Sequence, residues 1–345
     1  MVPVVDLRPW REDPDGQEGR AWAEALTRHA HEVGFFIVVG HGVDARLREE
    51  VFASARRFFA LPEATKARIA KRESPSFRGW EPLGSELTNG QPDLREQVDL
   101  WSEHGSIRRR DPVYLRLHGE NPWLPEDVLP GHRSVIIRWL EALDDVATHL
   151  LDALGVGLGL PRGHLLARFG TERMSLLKLI HYRATPAGGA GVNPHHDTGF
   201  LTLLAADRPG LEIEGPDGRW HSVPIHPSGF VVNLGELLQI MTGNYLLATP
   251  HRVVAAEERI SLGYFHGPSL DMPLTPLTLH PRYAEAVAAS PRHDRAGFMA
   301  PKEEVERGAV PMTSRDVPER YGEQLWRYFE RSYPELVARH HPDRV

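Results

Sequence analysis

The sequence predicts a mainly β chain with flanking helices and a jelly-roll core, folded as one compact unit. Two observations predict it. Between about residues 175 and 267, short strand-like runs alternate with turn residues, whereas helical periodicity dominates the first 60 residues and returns over 133–155 and 316–340. Many short strands at regular spacing indicate a sandwich or barrel, and a jelly roll is one standard solution. On this reading 1–170 is a helical and loop region, 171–270 the jelly-roll core, and 271–345 a C-terminal loop and helix.

Each element has a local reason. Trp22, Leu26, Ala30 and Val33 fall at helical spacing, and Gly34 follows as a C-cap. Phe35 to Val39 is a continuous apolar run of strand length, closed by Gly40-His41-Gly42. Asp44 then caps a helix carrying Leu47, Val51, Ala55 and Phe58, which stops before Pro62. Residues 72–130 are rich in Pro and Gly and read as loops with short strands. Val135, Trp139, Leu143, Val146 and Leu150 mark one face of a third helix. The strand-like runs that follow are Leu176 to Ile180, Phe200 to Ala205, Leu211 to Ile213, Phe230 to Leu234, His251 to Val254 and Ile260 to Phe265. Turn chemistry such as Pro216-Asp217-Gly218 separates them.

Composition narrows the function. The 345 residues are 41% hydrophobic and 25% charged, ordinary for a globular chain with a sizeable core. A net charge of −7 without long blocks argues against nucleic acid, and the basic run Arg108-Arg109-Arg110 reads as a solvated turn. There is no cysteine, so any metal must be held by His and carboxylate. No signal-peptide pattern is visible, and no apolar run approaches the roughly 20 residues of a membrane span. A cytoplasmic protein acting on a small molecule is expected; the oligomeric state is not readable.

The chemistry starts at Asn193-Pro194-His195-His196-Asp197. Side chains two apart on a strand share a face, so His195 and Asp197 aim together while His196 points aside. His251, in Thr249-Pro250-His251-Arg252, supplies a second imidazole. Two His and one carboxylate leave three cis positions open on iron(II), which suits O2 and a chelating co-substrate. Arg259 and Ser261 again share a strand face, and a guanidinium fork beside a hydroxyl is apt for clamping a carboxylate. Each such charge-assisted bond contributes about 1.5–3 kcal/mol. Tyr182, on the strand leading to the metal loop, is a further candidate for hydrogen-bonding that co-substrate.

Together, His195-x-Asp197, His251 and Arg259-x-Ser261 resemble the isopenicillin N synthase-like branch of the iron(II)/2-oxoglutarate dioxygenases. Flanking stretches agree: Pro3-Val4-Val5-Asp6-Leu7, Gly34 to Gly42, and Asn233-Leu234-Gly235-Glu236-Leu237-Leu238-Gln239. The resemblance covers most of the chain. It implies a double-stranded β-helix core, iron(II), 2-oxoglutarate and O2 as cofactors and co-substrates, and decarboxylation to succinate and CO2 coupled to substrate oxidation. It also implies that Arg259 and Ser261 hold the distal carboxylate of 2-oxoglutarate.

Within that branch, Ser85 to Asp93, Gln239 to Gly243, Leu247 to His251 and Arg331-Ser332-Tyr333-Pro334 are similar to the bacterial ethylene-forming enzyme. That likeness implies a substrate pocket built from Glu86, Thr88, Arg331 and Tyr333, suited to an amino acid such as arginine. It also places Lys178 near the co-substrate, where the relative has an arginine, and Asn233 where it has a phenylalanine. These two departures favour hydroxylation, desaturation or cyclisation of a small polar metabolite over ethylene formation. The alternatives are a 2-oxoglutarate-independent iron oxidase and a non-catalytic jelly-roll metal-binding protein.

Overall fold

The computed structural model describes residues 2–88, 91–104, 111–184, 190–294 and 318–344. The basic run 108–110 and residues 89–90 lie outside them, as do the side chains of Leu87 and Thr88. Strands are β1 (Val4–Asp6), β2 (Phe35–Val39), β3 (Gly79–Glu81), β4 (Leu87–Thr88), β5 (Gln91–Pro92), β6 (Arg95–Trp101) and β7 (Leu176–Tyr182). They continue with β8 (Ala190–His195), β9 (Leu201–Ala206), β10 (Leu211–Glu214), β11 (Trp220–Ser222), β12 (Phe230–Leu234), β13 (His251–Val254) and β14 (Arg259–His266).

Eight strands form the major sheet in the order β1-β2-β12-β9-β14-β7-β6-β3, and four form the minor sheet, β11-β10-β13-β8. This is the jelly-roll core with flanking helices that the strand spacing predicts. Strand alternation divides the major sheet into two faces. Leu177, Leu179, Leu203, Val232 and Leu262 enter the larger apolar core with the helices Gln17–Glu32, Ala45–Phe59 and His132–Gly157. Ile37, Ile180 and Tyr182 point the other way, into a smaller cluster with Val192, Ile213 and Val253 of the minor sheet. The space between the sheets is where side chains from distant segments meet.

The N-terminal signals hold residue by residue. Gly34 has φ +72°, and a Cβ there would lie 2.1 Å from the Leu247 carbonyl oxygen, so both the left-handed turn and the close approach require glycine. Asp44 caps its helix by accepting from the Arg46 amide at 2.8 Å. The segment expected over 316–340 is two helices, Tyr321–Ser332 and Pro334–His340, because Pro334 lacks an amide donor and suits only the first turn of a new helix.

Two strands depart from expectation. β6 is a fully buried strand of seven residues in a stretch read as loops with short strands. Its sequence, Arg-Glu-Gln-Val-Asp-Leu-Trp, has polar residues on both faces, so no apolar alternation marks it. β8 carries Gly191 and Pro194, residues that argue against a strand in sequence but are tolerated at the edge of the minor sheet. The major sheet also draws β1, β2, β3 and β6 from the N-terminal 170 residues. Phe77 and Trp80 are core aromatics, Phe77 stacked on Phe329 at 4.2 Å.

Candidate active site

β8 and β13 are antiparallel neighbours with His195 directly opposite His251. Their rings lie 4.3 Å apart, and Asp197 follows just beyond the end of β8. One Asp197 oxygen, Oδ1, is 3.8 Å from His195 Nε2 and 3.6 Å from His251 Nε2. Candidate ligand atoms of the three residues all lie within 4.8 Å of one another.

Each side chain is oriented from behind. His195 Nδ1 is 2.8 Å from the Asn193 carbonyl and His251 Nδ1 is 3.1 Å from that of Thr249. A carbonyl only accepts, so both rings donate from Nδ1 and present the Nε2 lone pair to the centre. Asp197 Oδ2 accepts from Asn233 Nδ2 at 2.6 Å and from the Thr202 hydroxyl, leaving Oδ1 turned to the imidazoles. Thr202 and Asn233 are register partners on β9 and β12. The Asp197 loop is pinned by the Glu236 amide donating to the Asp197 carbonyl at 2.8 Å. Gly235 permits that approach, since a Cβ there would sit 2.3 Å from the Gly199 carbonyl oxygen. Gln239 Oε1 takes the Ala248 amide at 2.6 Å, fixing the segment ahead of His251. The motif 233–239 therefore acts as a frame for the segments that carry Asp197 and His251.

Burial, and secondarily His251, push His195 down to about 3, so its ring is neutral near pH 7. Burial alone would lower His251 as well, but Asp197 raises it above its ordinary value. The site opens on one side: His195 is 25% exposed, His251 and Asp197 9% each. His196 turns away, its Nδ1 3.9 Å from Glu236.

A second arrangement lies on β14. Arg259 and Ser261 are 2% and 1% exposed. Arg259 Nε donates to the Arg208 carbonyl at 2.9 Å, and the guanidinium sits 5.0 Å over the Tyr182 ring. Arg259 Nη1 and Ser261 Oγ are buried without a partner. The cavity at Arg259 is lined by Leu204, Leu211, Val223 and Val231, with Arg48 at its side. Two buried polar groups without partners, on one face of β14, fit a carboxylate.

Two family models match: the non-haem dioxygenase N-terminal region, so described for morphine synthesis, over residues 2–126, and the 2OG-Fe(II) oxygenase superfamily over 173–268. The chain is 31% identical over 292 residues to the 2-oxoglutarate-dependent dioxygenase citB of Monascus ruber, covering 80% of this chain and 87% of the relative. It belongs to the iron(II)- and 2-oxoglutarate-dependent oxygenases. Among other members, homoarginine-6-hydroxylase 2-ODD-C23 of Glycine max is 28% identical over 297 residues, 81% of this chain and 89% of the relative. A full-length Neurospora crassa protein, crystallised in complex with alpha-KG, shares the fold with a TM-score of 0.70 at 24% identity, over 84% of this chain and 96% of that one. This oxygenase thus depends on iron(II) and 2-oxoglutarate, and the donor sets just described fit both groups. No helix among the described residues is long and apolar enough to cross a membrane.

The remaining candidates lie on other elements. Lys178 is four residues, roughly 13 Å, along β7 from Tyr182. Its ammonium is bonded to Glu86 at 2.9 Å and lies 3.6 Å from Asp99, so it is committed to carboxylates of the protein and not to the Arg259 cavity. Glu86 is likewise engaged, accepting from Arg95 Nη2 at 2.7 Å. Burial would raise the Glu86 carboxyl, but Arg95 and Lys178 override it and hold the group well below the usual carboxylate range. Tyr333 joins the same network, its hydroxyl 3.1 Å from Lys71 Nζ and 3.3 Å from Glu81. Arg331 is exposed on the last turn of its helix and takes no part in the network. The Thr88 side chain lies outside the described residues; its strand, β4, packs against β8. Thr202, beside Asp197, and Lys71, Glu81, Arg95, Gln97 and Asp99, in the cluster around Glu86 and Lys178, carry no motif signal, and only the fold gives them these partners.

Proposed function

We propose that His195, Asp197 and His251 hold iron(II), that Arg259 and Ser261 hold the distal carboxylate of 2-oxoglutarate, and that the chain oxidises a small polar metabolite, with arginine-type amino acids as first candidates. The observation that carries this reading is the unpartnered Arg259 Nη1 and Ser261 Oγ, buried on the sheet whose next strands support Asp197. Two relatives named homoarginine-6-hydroxylases, from Glycine max and Arabidopsis thaliana, support an amino-acid substrate.

When bound, iron and 2-oxoglutarate supply O2 activation coupled to decarboxylation. The chain's own residues supply the positioning. Asn193 and Thr249 fix the imidazole tautomers, and Thr202 and Asn233 fix the carboxylate. Tyr182 backs the guanidinium and restricts its rotamers.

The test is oxygen uptake with iron(II), with and without 2-oxoglutarate, alongside succinate measurement. Uptake that requires 2-oxoglutarate and yields equimolar succinate is expected. Uptake without it would establish the oxidase alternative, and no uptake with any substrate the non-catalytic one. Asn233→Ala is expected to weaken iron(II) affinity about 10–100-fold, the usual cost of an outer-sphere partner. Competition with a chromogenic chelator measures it; wild-type affinity would show that Thr202 alone suffices to orient Asp197.

A further inference from the structure

We propose that Gln97 and Asp99, on the inward face of β6, recognise a positively charged nitrogen of the substrate, an ammonium or a guanidinium. This rests on the oxygenase reading above and names its substrate class. Alternation on β6 sets the two faces. Val98 and Leu100 enter the helical core, and Glu96 bonds Lys66, Trp80 and His181 on that side. Arg95, Gln97 and Asp99 stand opposite Tyr182, Ile180 and Lys178 in register. Tyr182 and Ile180 belong to the cluster between the two sheets, so Gln97 and Asp99 face that space.

Gln97 and Asp99 are 1% and 3% exposed. Gln97 donates its amide to Glu81 at 2.9 Å, and its Oε1 has no partner. Asp99 Oδ2 accepts from Lys71 at 2.6 Å, and its Oδ1 has no partner. Two adjacent buried acceptors thus await donors. Among the described residues, the cations Lys71, Arg95 and Lys178 are ion-paired with carboxylates of this cluster. One of the two open acceptors is a carboxylate oxygen, so a cation with N–H donors meets it with a charge-assisted hydrogen bond while also satisfying Gln97 Oε1. Three strand spacings, roughly 14 Å, separate β6 from β9, which holds Thr202 against Asp197.

The test uses the full chain loaded anaerobically with iron(II) and 2-oxoglutarate, titrated with L-arginine, L-homoarginine, L-lysine, agmatine, L-citrulline and L-glutamate while the visible absorbance is followed. At least one cation should bind tenfold or more tightly than uncharged citrulline. Asp99→Asn and Gln97→Met should each weaken that cation tenfold or more without changing 2-oxoglutarate affinity. Gln97→Met keeps every ion pair of the cluster, so it reports even where Asp99→Asn fails to fold. Citrulline or glutamate binding as well as the cations, no cation binding, or unaltered cation affinity in a folded variant would overturn the assignment. Failure of the oxygenase reading shows separately, as wild-type protein that makes no succinate from 2-oxoglutarate.

Discussion

Asp197→Ala is expected to abolish turnover and to leave the protein unable to retain stoichiometric iron(II). The carboxylate is the one anionic donor of the candidate triad, with its Oδ1 3.8 Å and 3.6 Å from the two Nε2 atoms. Without it, two neutral imidazoles remain, a weak set for a hard-to-intermediate divalent cation. Loss of an outer-sphere partner costs about 10–100-fold, so loss of the ligand itself should exceed about 100-fold in both metal affinity and rate. The substitution also strips the acceptor from Asn233 and Thr202, a structural cost separable by thermal unfolding. A folded Asp197→Ala protein turning over at the wild-type rate would remove the triad from the chemistry.

The parts of this site that sequence exposes are those whose physics is local. His195 and Asp197 are two residues apart, Arg259 and Ser261 likewise; alternation on β14 brings the second pair to one face, while Asp197 reaches the imidazoles from just beyond the end of β8. The helix Ala45–Phe59 is legible for the same reason, because Asp44, the apolar spacing and Pro62 are all within one segment. The charged cluster is not legible. Lys71, Glu81, Asp99, Lys178 and Tyr333 are polar residues scattered over 262 positions, each unremarkable alone, and their pairing follows from the register of β3, β6 and β7. Hence Glu86 and Lys178, placed by resemblance to bind substrate and co-substrate, are found bonded to each other. A carboxylate and an ammonium recognised separately in sequence meet once the sheet forms, and buried acceptor atoms without partners lie on Gln97 and Asp99 of the same cluster.

Arg259→Ala is expected to raise the apparent KM for 2-oxoglutarate by about 10–150-fold while changing kcat little, the range corresponding to about 1.5–3 kcal/mol for one charge-assisted contact. The split follows from position. Arg259 stands on β14 opposite Tyr182 and is not one of the candidate metal ligands, so its contact is made equally before and during the chemistry. Ser261→Ala removes a neutral hydroxyl beside it and should cost about 2–12-fold by the same measure, from about 0.5–1.5 kcal/mol. Arg259→Lys separates charge from geometry. An ammonium keeps the charge but cannot present the planar fork or cover the Tyr182 ring in the same way, so its KM should fall between wild type and Ala. An Arg259→Ala enzyme with unchanged KM would require another cation to hold the carboxylate. Arg48 lines the same cavity, but it already donates to the Gly229 carbonyl at 3.3 Å, so the double variant with Arg48→Ala would identify such a substitution.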